Sequence, residues 1–387
     1  MQKRKNKGNG EGTIYLNSKK NLYVGQYVLD GKRKSVYQKK HEKASDFKAR
    51  FNRILITINN GTFIEKSSET LETIIIRHIE QKHQDGITSS NSFKRDMETL
   101  EQIKKCCYNF IYKPVQKVTI YDIEKSKEEL KQYKKSGIDR AWRLLFKGFR
   151  IASSPSNKII PYNIMDDEYL KKPVSEIKTE KVKPLTLEEE LKLNKILDNE
   201  ERHHPYRNIV KLELLTSMRV GEVLARSVNN INLEDNKLLI NNTLTEDIDG
   251  SVILGEHTKT YNKTTGIDEG IRNFPITKEI AEIINEQTSK DITNKYNLLF
   301  WNYEKNTFIT PKEVNSWLKR INKKYHISST LHNHKLRHTR ITRWKESGIE
   351  LNAIQYLAGH IEGSEITNKV YIDVSEKFAF EQLEKTL

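Results

Sequence analysis

Proline and glycine are scarce in this chain, 8 and 17 among 387 residues, and no repeat or Ser/Pro-rich tract is present. That scarcity excludes collagen-like and mucin-like tracts and argues against long disorder. Cysteine is almost absent: Cys106 and Cys107 are the only two. Adjacent in a helical pattern, they would form a strained bridge with each other and assemble no Cys-based metal site, so both read as reduced thiols. No apolar run approaches the roughly 18 residues that cross a bilayer, and the N-terminal MQKRKNKGNG lacks the apolar segment of a signal peptide. A cytoplasmic protein without membrane contact is expected. Acidic residues are also short, 52 against 67 Lys and Arg, for a formal net charge of +15. A polyanion is therefore the first partner to consider. Residues 1–60 carry 15 Lys and Arg but only four Asp and Glu, so the basic excess sits at the front.

At roughly 150 residues per domain, the length predicts two or three domains. The pattern is that of a multidomain α+β chain. In residues 1–66, the segments GTIYL, NLYVGQYVLD and KRKSVYQKK alternate apolar and polar residues, and Asp30-Gly31 marks a tight turn between the second and third. A helix follows from about His41 to Ile58. Such a three-stranded sheet, carrying Arg33, Lys34, Lys39 and Lys40 beside Tyr15, Tyr23, Tyr27 and Tyr37, has the size and charge to lie in a DNA major groove. A solvated charged face is the alternative.

Residues 67–170 read as an all-helical bundle, with Leu71, Ile74, Ile75, His78 and Ile79 on one helix face and Ile123 and Leu130 on another. Residues 171–184, with two prolines and alternating charge, read as a linker. The stretch 185–387 reads as a mostly helical domain with a small antiparallel sheet from Lys237–Asn242, Ser251–His257 and Ile271–Ile276. Thr186-Leu-Glu-Glu189 and Thr310-Pro-Lys-Glu313 are capping boxes that open helices, the second predicting a helix over Pro311–Tyr325. Gly348 and Gly359 are helix stops.

Polar residues of unusual density lie in this last stretch. Arg219 stands at a junction of two helices, where a helix start favours an anion and a guanidinium can add a bidentate clamp; Glu222, three residues on, can pair with it. By itself the pair is structural. In Leu331-His-Asn-His-Lys-Leu-Arg-His-Thr339, His334 and Arg337 share one helix face, a base beside a fixed cation. His334 and His338, four apart, have the spacing of a metal-binding pair, but no acidic or Cys third ligand is near in sequence. Leu357-Ala-Gly-His360 puts a histidine just beyond a helix stop, and Tyr371 follows in ITNKVYIDVS.

Taken in order, Arg219, Lys259, His334-x-x-Arg337, His360 and Tyr371 resemble the tyrosine recombinases, the family of phage lambda integrase and the conjugative-transposon integrases. TSMRVGEVL resembles the box of the first catalytic arginine, HNHKLRHT the His-x-x-Arg box, LAGH the box of the third basic residue, and NKVYIDV the box of the nucleophilic tyrosine. The resemblance extends over the chain as an arm-type DNA-binding domain (1–66), a helical core-binding domain (67–170), a linker (171–184) and a catalytic domain (185–387). It implies a site-specific recombinase that cuts and rejoins DNA without metal or ATP, through a 3′-phosphotyrosine on Tyr371, to integrate and excise a mobile element. Arg219 and Arg337 would neutralise the phosphate oxygens, His334 accept the tyrosine proton, His360 hydrogen-bond the phosphate, and Lys259 protonate the leaving 5′-oxygen. Lys263 is close enough to compete for that last role. Glu222 would orient Arg219, and His338 would be a buried hydrogen-bonding partner. Arg33, Lys34, Lys39 and Tyr27 are the expected arm-domain DNA contacts. The segment Ser375–Leu387 reads as a short amphipathic helix, which in the family docks on a neighbouring subunit. The implied partners are duplex DNA at core and arm sites, three further copies in a tetramer, and an accessory excisionase, at the bacterial nucleoid. A type IB topoisomerase shares the Arg, Lys, Arg, His and Tyr set, but the front sheet and short tail favour recombination.

Overall fold

The computed structural model describes residues 12–360, apart from 30, 179–181, 248, 263–264 and 291–292. Asp30, Lys263, Tyr371 and the tail Ser375–Leu387 therefore lie outside the described residues. The fold is α+β, as expected, and its described residues divide into two compact units. One holds the chain up to Lys82 and again from Arg95 to 178. The other holds His83–Lys94 and the chain from 182 onward.

The first unit begins with an antiparallel meander of β1 (Thr13–Asn17), β2 (Leu22–Leu29) and β3 (Lys32–Tyr37), followed by α1 (Ala44–Asn59). Phe47 and Phe51 of α1 are buried against one face of this sheet, where Tyr23 stacks on Phe47 and Tyr27 packs on Phe51. The helices are α2 (Leu71–Gln84), α3 (Ser90–Cys106), α4 (Ile120–Lys131) and α5 (Lys135–Ala152). The apolar stripe read from the sequence is the buried one: Leu71, Ile74, Ile75 and Ile79 of α2, and Ile123 and Leu130 of α4, enter the core. Cys106 and Cys107 are buried free thiols, and burial pushes the Cys107 pKa up to about 12.

The second unit opens with α6 (Leu187–Asp198), α7 (Arg207–Thr216) and the five-residue α8 (Val220–Leu224). Short strands follow: β4 (Ile231–Asn232), β5 (Lys237–Ile240), β6 (Leu244–Glu246), β7 (Val252–Leu254), β8 (Tyr261–Asn262), β9 (Ile267–Asp268) and β10 (Arg272–Pro275). Among the described residues of this unit β10, β5 and β4 form a three-stranded sheet, whereas β6–β7 and β8–β9 are separate hairpins. The expected single sheet is thus broken into pieces, and Ser251–His257 shortens to β7. Next come α9 (Lys278–Thr288), the hairpin of β11 (Trp301–Asn302) and β12 (Thr307–Phe308), α10 (Pro311–Tyr325), α11 (Asn333–Glu346) and α12 (Leu351–Ala358). Both capping boxes form: Thr186 and Thr310 accept from the N–H of Glu189 and Glu313, whose carboxylates return the bond. A core through Leu193, Leu212, Val223, Trp317, Leu336 and Ile341 holds α11 along α7. That packing brings the end of α7, the start of α8 and the middle of α11 together.

Candidate active site

At the end of α7, Ser217 takes a left-handed conformation (φ 55°), and the chain turns into α8 with Arg219 as the N-cap. Glu222, three residues on, accepts the Arg219 backbone N–H at 3.1 Å and its Nη1 at 2.8 Å. The same carboxylate accepts Nη2 of Arg272 at 2.9 Å. Glu222 is wholly buried. Burial alone would raise its pKa, but the guanidiniums of Arg272, Arg219 and Arg337 outweigh it and hold the carboxyl at about 2. It is an anion that orients two arginines.

Three successive carbonyls at the end of α12 each receive a guanidinium. Leu357 O accepts from Arg272 Nε at 2.9 Å, Ala358 O from Arg337 Nη2 at 2.6 Å, and Gly359 O from Arg219 Nη2 at 3.3 Å. The last carbonyls of a helix have no partner within it and sit at the negative end of its dipole, so cations settle there. Gly359 ends the helix at φ 62°, and any side chain there would also run into the Arg272 guanidinium. Arg337, on α11 and buried, reaches further: Nη1 donates to Ser217 O at 2.5 Å, and Nη2 lies 2.7 Å from Nε2 of His360. Arg219 keeps about 25% of its side chain exposed.

His360 is neutral in this setting. Burial first, and then the charges of Arg337, Arg219 and Arg272, lower its pKa to about 3. Because a guanidinium can only donate, Nε2 is the acceptor and Nδ1 carries the ring's proton. His334, near the start of α11, lies at the surface; loss of surrounding water and then the charge of Arg337 lower its pKa, with Lys259 among the smaller contributors. The neutral imidazole is thereby favoured at His334, and Lys259 is near enough to be felt there. His338 is buried on α11. The N-cap of α11 is His332, whose Nδ1 accepts the Lys335 N–H. Among the described residues no three His, Cys, Asp or Glu side chains are grouped to hold a metal ion.

The front sheet places its expected contacts unequally. Arg33 pairs with Val28 on the face turned away from α1 and is exposed, as is Lys39 beyond the strand end. Lys34 pairs with Tyr27 on the α1 side and donates to Glu65 at 2.5 Å. Tyr27 is buried against Phe51 and Phe63, a core ring rather than a groove-facing one, because positions 23, 25 and 27 of β2 face the helix.

Three buried charges were not anticipated. Arg272 shares the inward face of β10 with Phe274, and a cation at an inward position of an alternating strand was the available signal. Arg226, also fully buried, donates to Glu222 O and Asn242 O at 2.8 Å each, bracing α8 against the chain beyond β5; burial lowers its pKa to about 10. Glu213 on α7 has neither carboxyl oxygen hydrogen-bonded among the described residues. Burial raises its pKa well above the usual range, although Arg337 opposes this. Arg219, Arg226, Arg272 and Arg337 thus outnumber Glu222, the one carboxylate held ionised among them, while burial favours the neutral form of Glu213, leaving the site with surplus positive charge.

The model of the phage integrase family matches residues 183–377. An integrase of Staphylococcus phage L54a is 30% identical over 179 residues, 43% of this chain and 48% of that protein, so the chain spans about half the length of this curated relative. Among solved structures, the fold is similar to the Tn1549 transposon integrase in complex with a circular intermediate DNA (TM-score 0.66, 18% identity, covering 83% of this chain and 100% of that one). It is also similar to a lambda integrase tetramer bound to a Holliday junction (TM-score 0.54, 17% identity, 94% and 98% covered).

Proposed function

The chain belongs to the phage integrase family, and from that premise we propose that it is a site-specific DNA recombinase that cuts and rejoins strands through a 3′-phosphotyrosine on Tyr371. The observation that carries this reading is the convergence of Arg219, Arg337 and His360 on the end of α12 with net positive charge. A phosphodiester in transfer gains charge on its two non-bridging oxygens, and fixed guanidiniums stabilise that charge without reorganising at the moment of reaction. Arg219, partly exposed, and Arg337, held from behind by Ser217 O and Ala358 O, serve as the pair, and the Nδ1–H of His360 adds a neutral donor. Glu222 keeps Arg219 in place.

In the cleavage step the Tyr371 oxygen bonds to phosphorus, its proton passing to His334. The bond from phosphorus to the 5′-oxygen breaks, and that oxygen takes a proton from Lys259. The phosphotyrosine retains the energy of the broken bond, so attack by a partner strand's 5′-hydroxyl rejoins DNA without ATP. Integration and excision of a mobile element, assembly as a tetramer on two DNA sites, an accessory excisionase and arm-site binding by the front sheet complete the proposal.

The test is to incubate wild-type protein and Tyr371→Phe, without metal, with a nicked duplex carrying the element's end sequence. The expected result is an adduct on the 3′ side that survives denaturation and is absent from the variant. Tight binding with no adduct from any end sequence would instead indicate a DNA-binding regulator. An adduct that relaxes supercoils at a single site and never joins two sites would indicate a topoisomerase.

A further inference from the structure

Lys259 stands in a loop gathered around one carboxylate. Asp268, at the end of β9, accepts the Thr258 backbone N–H at 2.7 Å and the Thr258 hydroxyl. It also accepts the Thr260 hydroxyl at 3.4 Å and the Gly270 N–H at 3.1 Å. The two threonine hydroxyls lie 2.9 Å apart, and the Thr260 N–H donates to Thr258 Oγ1. Thr258 is buried and Thr260 half-buried, while Lys259 between them is exposed. Residues 258–261 form a tight turn closed by the Tyr261 N–H on Thr258 O at 3.3 Å, and with the hydroxyls of 258 and 260 both engaged on Asp268, Lys259 is left at its exposed corner. Gly270 is part of the fit, since a side chain there would occupy the space of both threonine hydroxyls. His257 and Tyr261, flanking the trio, stack with ring centroids 3.6 Å apart and planes 12° from parallel.

We propose that Asp268 is a positioning residue for Lys259: by holding Thr258 and Thr260 it sets the arc from which the lysine ammonium reaches the leaving 5′-oxygen. The proposal rests on the reading of Lys259 as general acid. In that step the electron pair of the breaking P–O5′ bond stays on the 5′-oxygen, which takes the ammonium proton, while the tyrosine oxygen forms the new bond to phosphorus. Asp268 exchanges no proton; it acts on where the lysine is. A lysine has a long flexible stem, so its reach depends on how firmly its backbone is held.

The experiment uses the full chain and two nicked duplexes that differ only at the scissile bond, one with bridging oxygen and one with 5′-bridging sulfur, whose departure needs no protonation. Covalent adduct formation is timed for wild type, Lys259→Ala, Asp268→Asn and Thr258→Val, with a thermal melt of each. Asp268→Asn and Thr258→Val are expected to slow the oxygen substrate by about 10- to 100-fold and to return to within about threefold of wild type on sulfur. Equal slowing on both substrates, or no slowing on oxygen, would overturn the proposal. If Asp268→Asn does not fold, Thr258→Val, which removes one hydroxyl, decides. Lys259→Ala separates the premise: failure of sulfur to rescue it removes Lys259 as general acid, and the Asp268 role with it. Rescue of Lys259→Ala without rescue of Asp268→Asn and Thr258→Val removes the Asp268 role alone.

Discussion

The front sheet and the cluster at the end of α12 use the same cationic side chains under opposite conditions. Arg33 and Lys39 sit in water, and Lys34 meets the exposed carboxylate of Glu65. Arg226, Arg272 and Arg337 are buried and held by carbonyls and by Glu222. An exposed cation is hydrated, mobile and screened, so it contributes by releasing counterions from a polyanion and carries little geometric information. A buried guanidinium persists only where its N–H groups find acceptors, and those acceptors fix its direction. On the proposed function, affinity would be the output of the first region and aimed chemistry that of the second.

The sharpest way to break this contrast is at Glu222. Glu222→Gln leaves Arg219 and Arg272 without their anion and is expected to lower adduct formation on the order of a hundredfold. It should also destabilise the protein by about 3 kcal/mol at pH 7, since breaking a buried pair strands its partner. The carboxyl is held near 2 when folded against about 4.5 unfolded, so its stabilisation is complete above pH 4.5 and fades as pH falls toward 2. The gap between variant and wild type should narrow over that window in denaturant titrations. A constant gap would mean that the pairing does not carry the stability.

A smaller effect is expected at the front. Substituting Arg33 and Lys39 together with Ala should weaken duplex binding about tenfold and reduce the slope of log K against log salt by about 2, while the cleavage rate of DNA-saturated protein stays unchanged. A loss of cleavage rate with an unchanged salt slope would erase the division of labour.

The smallest effect concerns the buried carboxyl that has no hydrogen bond. Burial favours the neutral form of Glu213 in the fold, so raising pH above its unfolded value of about 4.5 favours the unfolded state, where it ionises freely. Glu213→Leu should therefore stabilise the protein by about 1 kcal/mol at pH 7, with the gain growing as pH rises. A variant less stable than wild type at all pH values would show that the carboxyl is paired in solution.

Much of this was legible from the chain. Thr186 and Thr310 with their glutamates mark helix starts because a capping box is a contact over three residues. Gly359 marks a stop because the left-handed turn is a property of one residue. The boxes around Arg219, His334, Arg337 and His360 were readable for the same reason, each being a short local pattern. Tyr27, expected from the sequence as a groove contact, is a core ring, because strand alternation says that two faces exist, not which one a helix will cover.

Local sequence thus determined where helices begin and end, which stripes are apolar, and the order of the polar boxes, because these depend on neighbours within a few residues. Only the tertiary structure decided that Leu357, Ala358 and Gly359 would each receive a guanidinium from a different element. It alone decided that Glu222 would serve two arginines fifty-three residues apart in number, and that Asp268 would gather the threonines around Lys259. Those partners meet because buried charges and orphan carbonyls must be satisfied wherever packing leaves them, and packing is set by contacts across the whole unit.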